Sequence, residues 1–136
     1  LSGVWDGERA VFVGGLTESS RTDYDYVLFR LPDARPDVGA YSVDDRASGE
    51  RVFTATLADV EDAGRDDASG TLLRGTSGTL TVERVDDYGF LLGSFQVDAV
   101  GLRVDRPGAT VTGSASGRFE ARYEPPAVFQ RLGIAL

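Results

Sequence analysis

Apolar and polar residues alternate along much of the chain, and the longest regular stretch runs from Thr76 to Ala99. Leu80 and Val82 alternate there with polar neighbours, and a second apolar row follows after a short turn. An alternation of period two is typical of a strand with one buried face. The stretch therefore predicts a β-hairpin around which the rest of the chain is organised. The second apolar row consists of Leu91, Gly93, Phe95, Val97 and Ala99.

The predicted turn of this hairpin is the sequence Asp86-Asp87-Tyr88-Gly89. Asp side chains accept hydrogen bonds from nearby backbone N–H groups, and Gly adopts a positive φ without steric cost. We therefore expect Asp87 and Gly89 to set the turn, with the positive φ at Gly89.

Shorter alternating segments precede and follow the hairpin, separated by turns rich in Gly and Pro. No segment before residue 126 has the period of a helix. About eight short strands at regular spacing predict an all-β fold, an antiparallel sandwich with a lipocalin-like up-and-down barrel as the alternative. The predicted segments are Arg9–Leu16, Tyr24–Leu31, Val38–Val43, Arg51–Ala58, Thr71–Arg74, Leu102–Val104, Ala109–Gly113 and Gly117–Tyr123.

The length of 136 residues predicts one domain, which we place at residues 1–124, with an apolar tail at 125–136 packing on it. Residues 127–132 are expected to form a short helical turn after Pro125-Pro126, with Val128, Phe129 and Leu132 on one face. We expect this turn to cap the open end of the sandwich. The alternative is that the tail docks onto a second copy of the chain or onto a partner.

The charge balance is strongly acidic, with 22 Asp and Glu against 14 basic residues and a net charge of −8. All the basic residues are Arg. Such a chain repels phosphate backbones and anionic membrane surfaces, so we expect no nucleic-acid partner and no binding to anionic lipid. No apolar run approaches the ~18 residues of a membrane span.

The chain contains no His, Cys or Lys. This composition excludes Ser-His-Asp and Cys-His nucleophile systems, a Lys Schiff base and the usual zinc sites. We therefore expect no enzymatic activity and no cofactor. Carboxylate chemistry of the glycoside hydrolase type is the remaining catalytic option. The Asp pairs at 44/45, 66/67 and 86/87 are its candidates, although each lies in a predicted turn, where Asp is favoured for structural reasons.

Two further groups of residues are candidate binding sites. The acidic segment 59–67 carries oxygen ligands that suit calcium, although its spacing does not match an EF-hand and a solvated loop is the favoured interpretation. The candidate metal ligands are Asp59, Asp62, Asp66 and Asp67, with Glu61 between them. Aromatic side chains could line a face that stacks on a sugar or another ligand, although aromatics on strands more commonly belong to a core. These residues are Trp5, Tyr24, Tyr26, Tyr41 and Tyr88.

Four strand motifs occur in a recognisable order: Gly39-Ala40-Tyr41, Ser77–Val82, Leu92–Val97 and Gly117-Arg118-Phe119. Together they resemble, over about residues 3–123, a β-rich domain of unknown function found in exported lipoproteins of Gram-negative bacteria. Ala40 and Ser94 stand where that family usually has Thr. The resemblance implies a sandwich-like fold and a cell-envelope location, and it supplies no catalytic residue.

A chain that begins at Leu1 and contains no Met is expected to be a processed product, which fits a lipid anchor upstream of Leu1. We therefore expect a non-enzymatic binding or structural module with a protein or glycan partner, acting as a monomer or weak homodimer. Its expected location is periplasmic, outer-membrane-anchored or extracellular. A carrier of a small apolar ligand is the second hypothesis and a carboxylate glycosidase the third.

Overall fold

The structure is a computed structural model that describes residues 1–14, 24–32, 34–46, 51–61 and 66–134. Within these residues the chain forms eight strands and one short helix, so the predicted all-β class is confirmed. In chain order the elements are β1 (Ser2–Trp5), β2 (Ala10–Gly14), β3 (Tyr24–Arg30), β4 (Gly39–Val43), β5 (Val52–Glu61), β6 (Ser69–Val85), β7 (Phe90–Arg103), β8 (Arg106–Tyr123) and α1 (Pro126–Arg131).

The strands form one sheet that closes on itself in the order β1-β2-β3-β5-β4-β6-β7-β8, with β8 beside β1. Of the two predicted architectures, a sandwich and a barrel, the closed sheet corresponds to the barrel. It is mixed rather than purely antiparallel, because β1 runs parallel to β8 and β4 runs parallel to β5. The order departs from an up-and-down barrel at β4. This strand fills the gap that opens where β5 and β6 diverge, pairing with the start of β5 and with residues 79–82 of β6.

Strands β6 and β7 form the predicted hairpin, which is longer than expected at 17 and 14 residues. The segment Thr71–Arg74 is the first part of β6 rather than a separate strand. A bulge between Gly75 and Ser77 joins the two parts. An extra residue shifts the alternation of side chains by one. The inner face therefore changes from odd positions such as Leu73 to even positions such as Leu80.

Side chains fill the interior of the barrel. The predicted apolar row of β7 is buried there, together with large residues from every other strand. Aromatic rings make edge-on contacts across the core, with centroid separations of 5.1 Å for Phe29 and Phe95 and 4.9 Å for Tyr41 and Phe53. The middle of the barrel is therefore a packed core of the kind expected for a small barrel.

A second apolar cluster lies on the outer face of β2 and β3. Phe12 and Leu28 are buried there against Phe129 of α1 and Ile134, which follows the helix. Strand β3 is thus covered on both faces, as the apolar character of both its faces suggested. The tail lies along the side of the barrel and buries a face that would otherwise expose large apolar side chains to water.

Three side chains clasp β4 to the start of β5. Arg51 donates to Asp37 Oδ1 at 2.7 Å, and its guanidinium carbon lies 4.0 Å from the centre of the Tyr41 ring. The Tyr41 hydroxyl also donates to Asp37 Oδ1, at 2.8 Å. The hydrogen bond from Arg51, followed by that from Tyr41, lowers the pKa of Asp37 from its ordinary value of 3.8. We call Asp37, Tyr41 and Arg51 the β4 clasp.

The β4 clasp predicts a specific dependence of stability on pH. Because the pKa of Asp37 is lower in the folded chain than in the unfolded chain, ionised Asp37 stabilises the fold above pH 3.8. This contribution disappears as the pH falls through the lowered value. Asp37→Asn should therefore lower the urea midpoint at neutral pH, and the gap to wild type should close at pH values below 3.8. A gap that is constant across the acidic range would contradict this account of the clasp.

The outer cluster predicts that the tail contributes to the stability of the domain. Phe129 is 0% exposed, so Phe129→Ala leaves a cavity between α1 and β3 and should cost about 3–5 kcal/mol in the free energy of unfolding. Urea denaturation measures this loss, with Gln130→Ala, at an exposed position of the same helix, as the control. Equal stability of the two variants would show that the tail does not depend on this contact.

Candidate functional site

An open cleft lies where the tip of the β6–β7 hairpin meets the β1–β2 turn and the start of α1. Its volume is about 730 Å³, and we call it the tip cleft. Four parts of the chain that are distant in sequence contribute charged or aromatic side chains to it. The cleft is lined by Asp6, Gly7, Glu8, Arg9, Arg35, Asp87, Tyr88, Tyr123 and Pro126.

The hairpin turn holds Tyr88 in a strained conformation. The positive φ of the turn, 54°, falls at Tyr88, so the expectation that it falls at Gly89 is wrong. Gly89 is required for a different reason, because a Cβ atom there would lie 2.7 Å from Asp86 Cβ. A left-handed conformation costs a residue with a side chain about 1–2 kcal/mol. The strained turn thus carries the Tyr88 side chain at the tip of the hairpin, where it is 79% exposed.

Tyr88 and Tyr123 form two aromatic walls of the cleft. Their ring centroids are 5.1 Å apart and their planes meet at 82°. Gly7, with a φ of 81°, lies against the second wall, since a Cβ atom there would be 2.9 Å from Tyr123 Cε2. A side chain at position 7 would therefore crowd the Tyr123 ring. The cleft thus presents two nearly perpendicular apolar surfaces beside each other.

Trp5 holds the β6–β7 hairpin turn in place from the core side. Its indole Nε1 donates to the carbonyl oxygen of Gly89 at 2.9 Å, and the backbone N–H of Tyr123 donates to the same oxygen at 2.9 Å. Trp5 is itself 0% exposed. It is therefore a positioning residue for the turn that carries Tyr88, rather than a surface that a ligand can reach.

The rim of the tip cleft combines hydrogen-bond acceptors and donors. Asp6 Oδ1 accepts from the backbone N–H groups of Glu8 and Arg9 at 2.9 Å and of Ala10 at 3.0 Å, which fixes the β1–β2 turn. Arg35 pairs with Asp87 at 2.6 Å, and both side chains are largely exposed. An exposed ion pair contributes at most about 1 kcal/mol. A polar ligand can therefore compete for either partner at little cost.

The other predicted aromatic residues do not share this surface. Tyr41 belongs to the β4 clasp and points into the core. Tyr26 is half-buried on the outer face of the barrel, with its ring centroid 5.5 Å from that of Phe12. Tyr24 is the first residue of β3, and its side chain lies outside what the structure describes. Of the five candidates, the structure places Tyr88 in the lining of the tip cleft and Tyr26 in the lining of a separate concave surface, the mouth of the barrel.

The predicted calcium ligands are spread over the far end of β5 and the turn before β6. Asp59 is exposed on β5, and Asp66 and Asp67 are exposed in the turn, whereas Asp62 lies outside the described residues. Within the described ranges, no three side chains of the types that ligate metals come together. The acidic segment therefore supplies no metal site that can be described.

A second concave surface is the mouth of the barrel, at the end opposite the hairpin tip. Its volume is about 460 Å³, and it has an apolar floor that includes Val27, Leu57 and Leu73. Asp25 and Asp59 lie directly opposite each other in the β3–β5 pairing and both line this mouth. Like charges that face each other across two strands repel. The charges on the rim of the mouth are therefore less well matched to each other than those on the rim of the tip cleft.

Sequence reasoning identified Tyr88 and missed its partners in the tip cleft. These partners are Tyr123, which also packs partly against the core, together with Asp6 and Arg35. The available signal was the Asp6-Gly7 pair directly after Trp5, which is typical of a tight turn. The pairing of Trp5 with Tyr123 across the parallel β1–β8 contact, which brings this turn to the hairpin tip, has no local sequence signal.

A comparison of the chain with protein-family models, curated proteins and solved structures finds no match. Across the residues that the structure describes, the one helix is too short to cross a membrane.

The strain at Tyr88 predicts an inverted order of two substitutions. Tyr88→Gly and Tyr88→Ala remove the same ring and its contact with Tyr123, so they differ mainly in the backbone. At most positions Ala is at least as stable as Gly, whereas a φ of 54° favours Gly by about 1 kcal/mol. Urea midpoints should therefore place Tyr88→Gly above Tyr88→Ala. The usual order would show that residue 88 is not strained in solution.

Proposed function

We propose that the chain is a non-enzymatic binding module of an exported, cell-envelope protein, and that the tip cleft binds a carbohydrate chain. The observation that carries this proposal is the exposed Tyr88 ring, held on a strained turn at the rim of an open cleft. Strained backbone at a surface position is a common feature of ligand sites, because folding alone gives no reason to retain it.

The chemistry of the cleft suits a polyhydroxylated ligand. Aromatic faces carry partial negative charge, which attracts the polarised C–H groups on one side of a sugar ring. The carboxylates of Glu8 and Asp87 accept hydrogen bonds from hydroxyl groups, and the guanidinium groups of Arg9 and Arg35 donate to them. Carboxylates and guanidinium groups line the cleft in similar numbers, which favours a polar ligand over a purely apolar one.

The export part of the proposal has separate support in the order of the strand motifs. Residues 39–41, 77–82, 92–97 and 117–119 follow the pattern of the lipoprotein domain that the chain resembles. An exported domain of this kind would display the tip cleft at the cell envelope, where carbohydrate chains are abundant.

The two alternatives have less support. A carrier of a small apolar ligand needs an internal cavity, whereas the middle of the barrel is filled with side chains and the mouth is open and carries two carboxylates. A glycosidase needs a protonated carboxyl as general acid. Asp6 in the tip cleft accepts three backbone N–H groups and Asp87 pairs with Arg35, so both carboxyl groups already have structural partners.

A titration with neutral oligosaccharides, followed by two-dimensional NMR of the ¹⁵N-labelled chain, tests the proposal. Tetramers of β-linked glucose, β-linked N-acetylglucosamine and α-linked glucose serve as probes. We expect shifts confined to residues 6–9, 86–90 and 122–126 with at least one probe. Tyr88→Ala should weaken that binding at least tenfold, or about 1.4 kcal/mol, and Tyr88→Phe should retain most of it.

Two results would contradict the proposal. Shifts at residues 25–27, 57–59 and 111–115 would place the ligand in the barrel mouth and support the carrier. Equal affinities of wild type and Tyr88→Ala would show that the exposed ring does not contact the sugar. Leu102→Ala, which removes another exposed apolar side chain, is the control for a general effect of surface hydrophobicity.

A further inference from the structure

A smaller cleft of about 270 Å³ adjoins the tip cleft and contains two arginines. Ala10 pairs with Arg30 in the β2–β3 ladder, and the N–H of Leu31 donates to the carbonyl oxygen of Arg9 at 2.9 Å. The ladder therefore places Arg9 beside the end of β3 that carries Arg30. We call this surface the arginine cleft. It is lined by Asp6, Arg9, Ala10, Arg30, Leu31, Pro32 and Thr54.

These two arginines differ from most others in the described part of the chain. Seven arginines form ion pairs with an acidic side chain, as expected in a chain of net charge −8. Arg9 and Arg30 form none with a described residue, although acidic groups are abundant. The paired arginines are Arg35, Arg51, Arg74, Arg84, Arg103, Arg118 and Arg122.

The acceptors within the arginine cleft do not satisfy the two guanidinium groups. Asp6 is the acidic residue that lines the arginine cleft, and Asp6 Oδ1 already accepts hydrogen bonds from three backbone N–H groups. Arg30 Nε is shielded from solvent and has no hydrogen-bond partner among the described residues. A buried donor without a partner costs about 1–3 kcal/mol. The Thr54 hydroxyl is only loosely held, because it lies 3.5 Å from the carbonyl oxygen of Arg30.

We propose that the arginine cleft binds an oxyanion, that is, a phosphate, sulfate or carboxylate group. A guanidinium group binds such a group through two parallel N–H···O hydrogen bonds, and Arg9 and Arg30 together give the lining of the cleft an excess of one positive charge over Asp6. The net negative charge of the chain does not prevent binding, because charges beyond about 10 Å are largely screened at an ionic strength near 0.1 M. The oxyanion is either a free ion or part of a larger ligand that extends into the tip cleft across Arg9.

Inorganic phosphate is the first probe, in an NMR titration at a constant ionic strength of about 0.15 M. We expect saturable shifts at residues 9–10, 30–32 and 54. Arg9→Gln and Arg30→Gln should each weaken binding at least tenfold. Arg46→Gln and Arg106→Gln remove the same charge from exposed arginines outside the cleft and should leave the affinity within twofold. If Arg30→Gln does not fold, Arg30→Lys, which keeps the charge and loses the planar fork, takes its place.

A tetramer of galacturonic acid is the second probe and distinguishes the source of the oxyanion. Binding of phosphate that needs both arginines supports a site for a free ion. Binding of the acidic tetramer without phosphate binding, again lost in both cleft variants, supports an anionic group carried on a sugar. Equal losses in the cleft and control variants, or no binding of either probe, would overturn the proposal. Neutral tetramers that still bind in Arg30→Gln, whose residue does not line the tip cleft, would at the same time leave the carbohydrate function of the tip cleft standing.

Discussion

Closure of the barrel depends on β1, a strand of only four residues that pairs on both edges. It runs antiparallel to β2 and parallel to β8, so that Trp5 is opposite Val11 on one side and Tyr123 on the other. The backbone continues this contact, because the N–H of Glu124 donates to the carbonyl oxygen of Trp5 at 2.9 Å. Without β1, both β2 and β8 would become open edges along the segments that it covers. The same short strand therefore completes the core and brings three distant turns together.

The tip cleft is a direct consequence of that closure. The carbonyl oxygen of Gly89 accepts hydrogen bonds from both Trp5 and Tyr123, each worth about 1 kcal/mol net. The edge-on contact of Tyr88 with Tyr123 adds about 0.5–1.5 kcal/mol. Together these contacts exceed the cost of about 1–2 kcal/mol for the left-handed conformation of Tyr88. The strained turn is thus held by β8 through Tyr123 and by β1 through the Trp5 hydrogen bond, and the second of these contacts depends on the position of β1 beside β8.

Local alternation was sufficient to predict β2 to β5, the central hairpin and the buried row of β7, but it missed β1 and divided β8 into two segments. It could not predict the closure, because the parallel pairings of β1 with β8 and of β4 with β5 join segments that no turn connects. The bulge at Gly75 was also hidden, since a shift of the apolar positions by one residue resembles the end of one strand and the start of another. For the candidate site, the sequence could not show which of the predicted aromatic side chains are exposed. Trp5 and Tyr88 are both aromatic residues at a turn that contains Asp and Gly, and only the three-dimensional fold separates the buried one from the exposed one.

Asp6 and Arg9 connect the two clefts, and their roles explain how one turn can serve both surfaces. Asp6 uses one carboxylate oxygen to hold the backbone of the β1–β2 turn, so its charge is partly satisfied by the backbone dipoles. Arg9, three residues later, lines both clefts and forms no ion pair with a described residue. An ion pair with an exposed acid would contribute less than about 1 kcal/mol to folding, so leaving Arg9 unpaired costs little stability. The Arg9 guanidinium group instead provides a hydrogen-bond donor between the aromatic tip cleft and the arginine cleft. A ligand that combined a sugar ring with an anionic group would contact both surfaces without any rearrangement of the barrel.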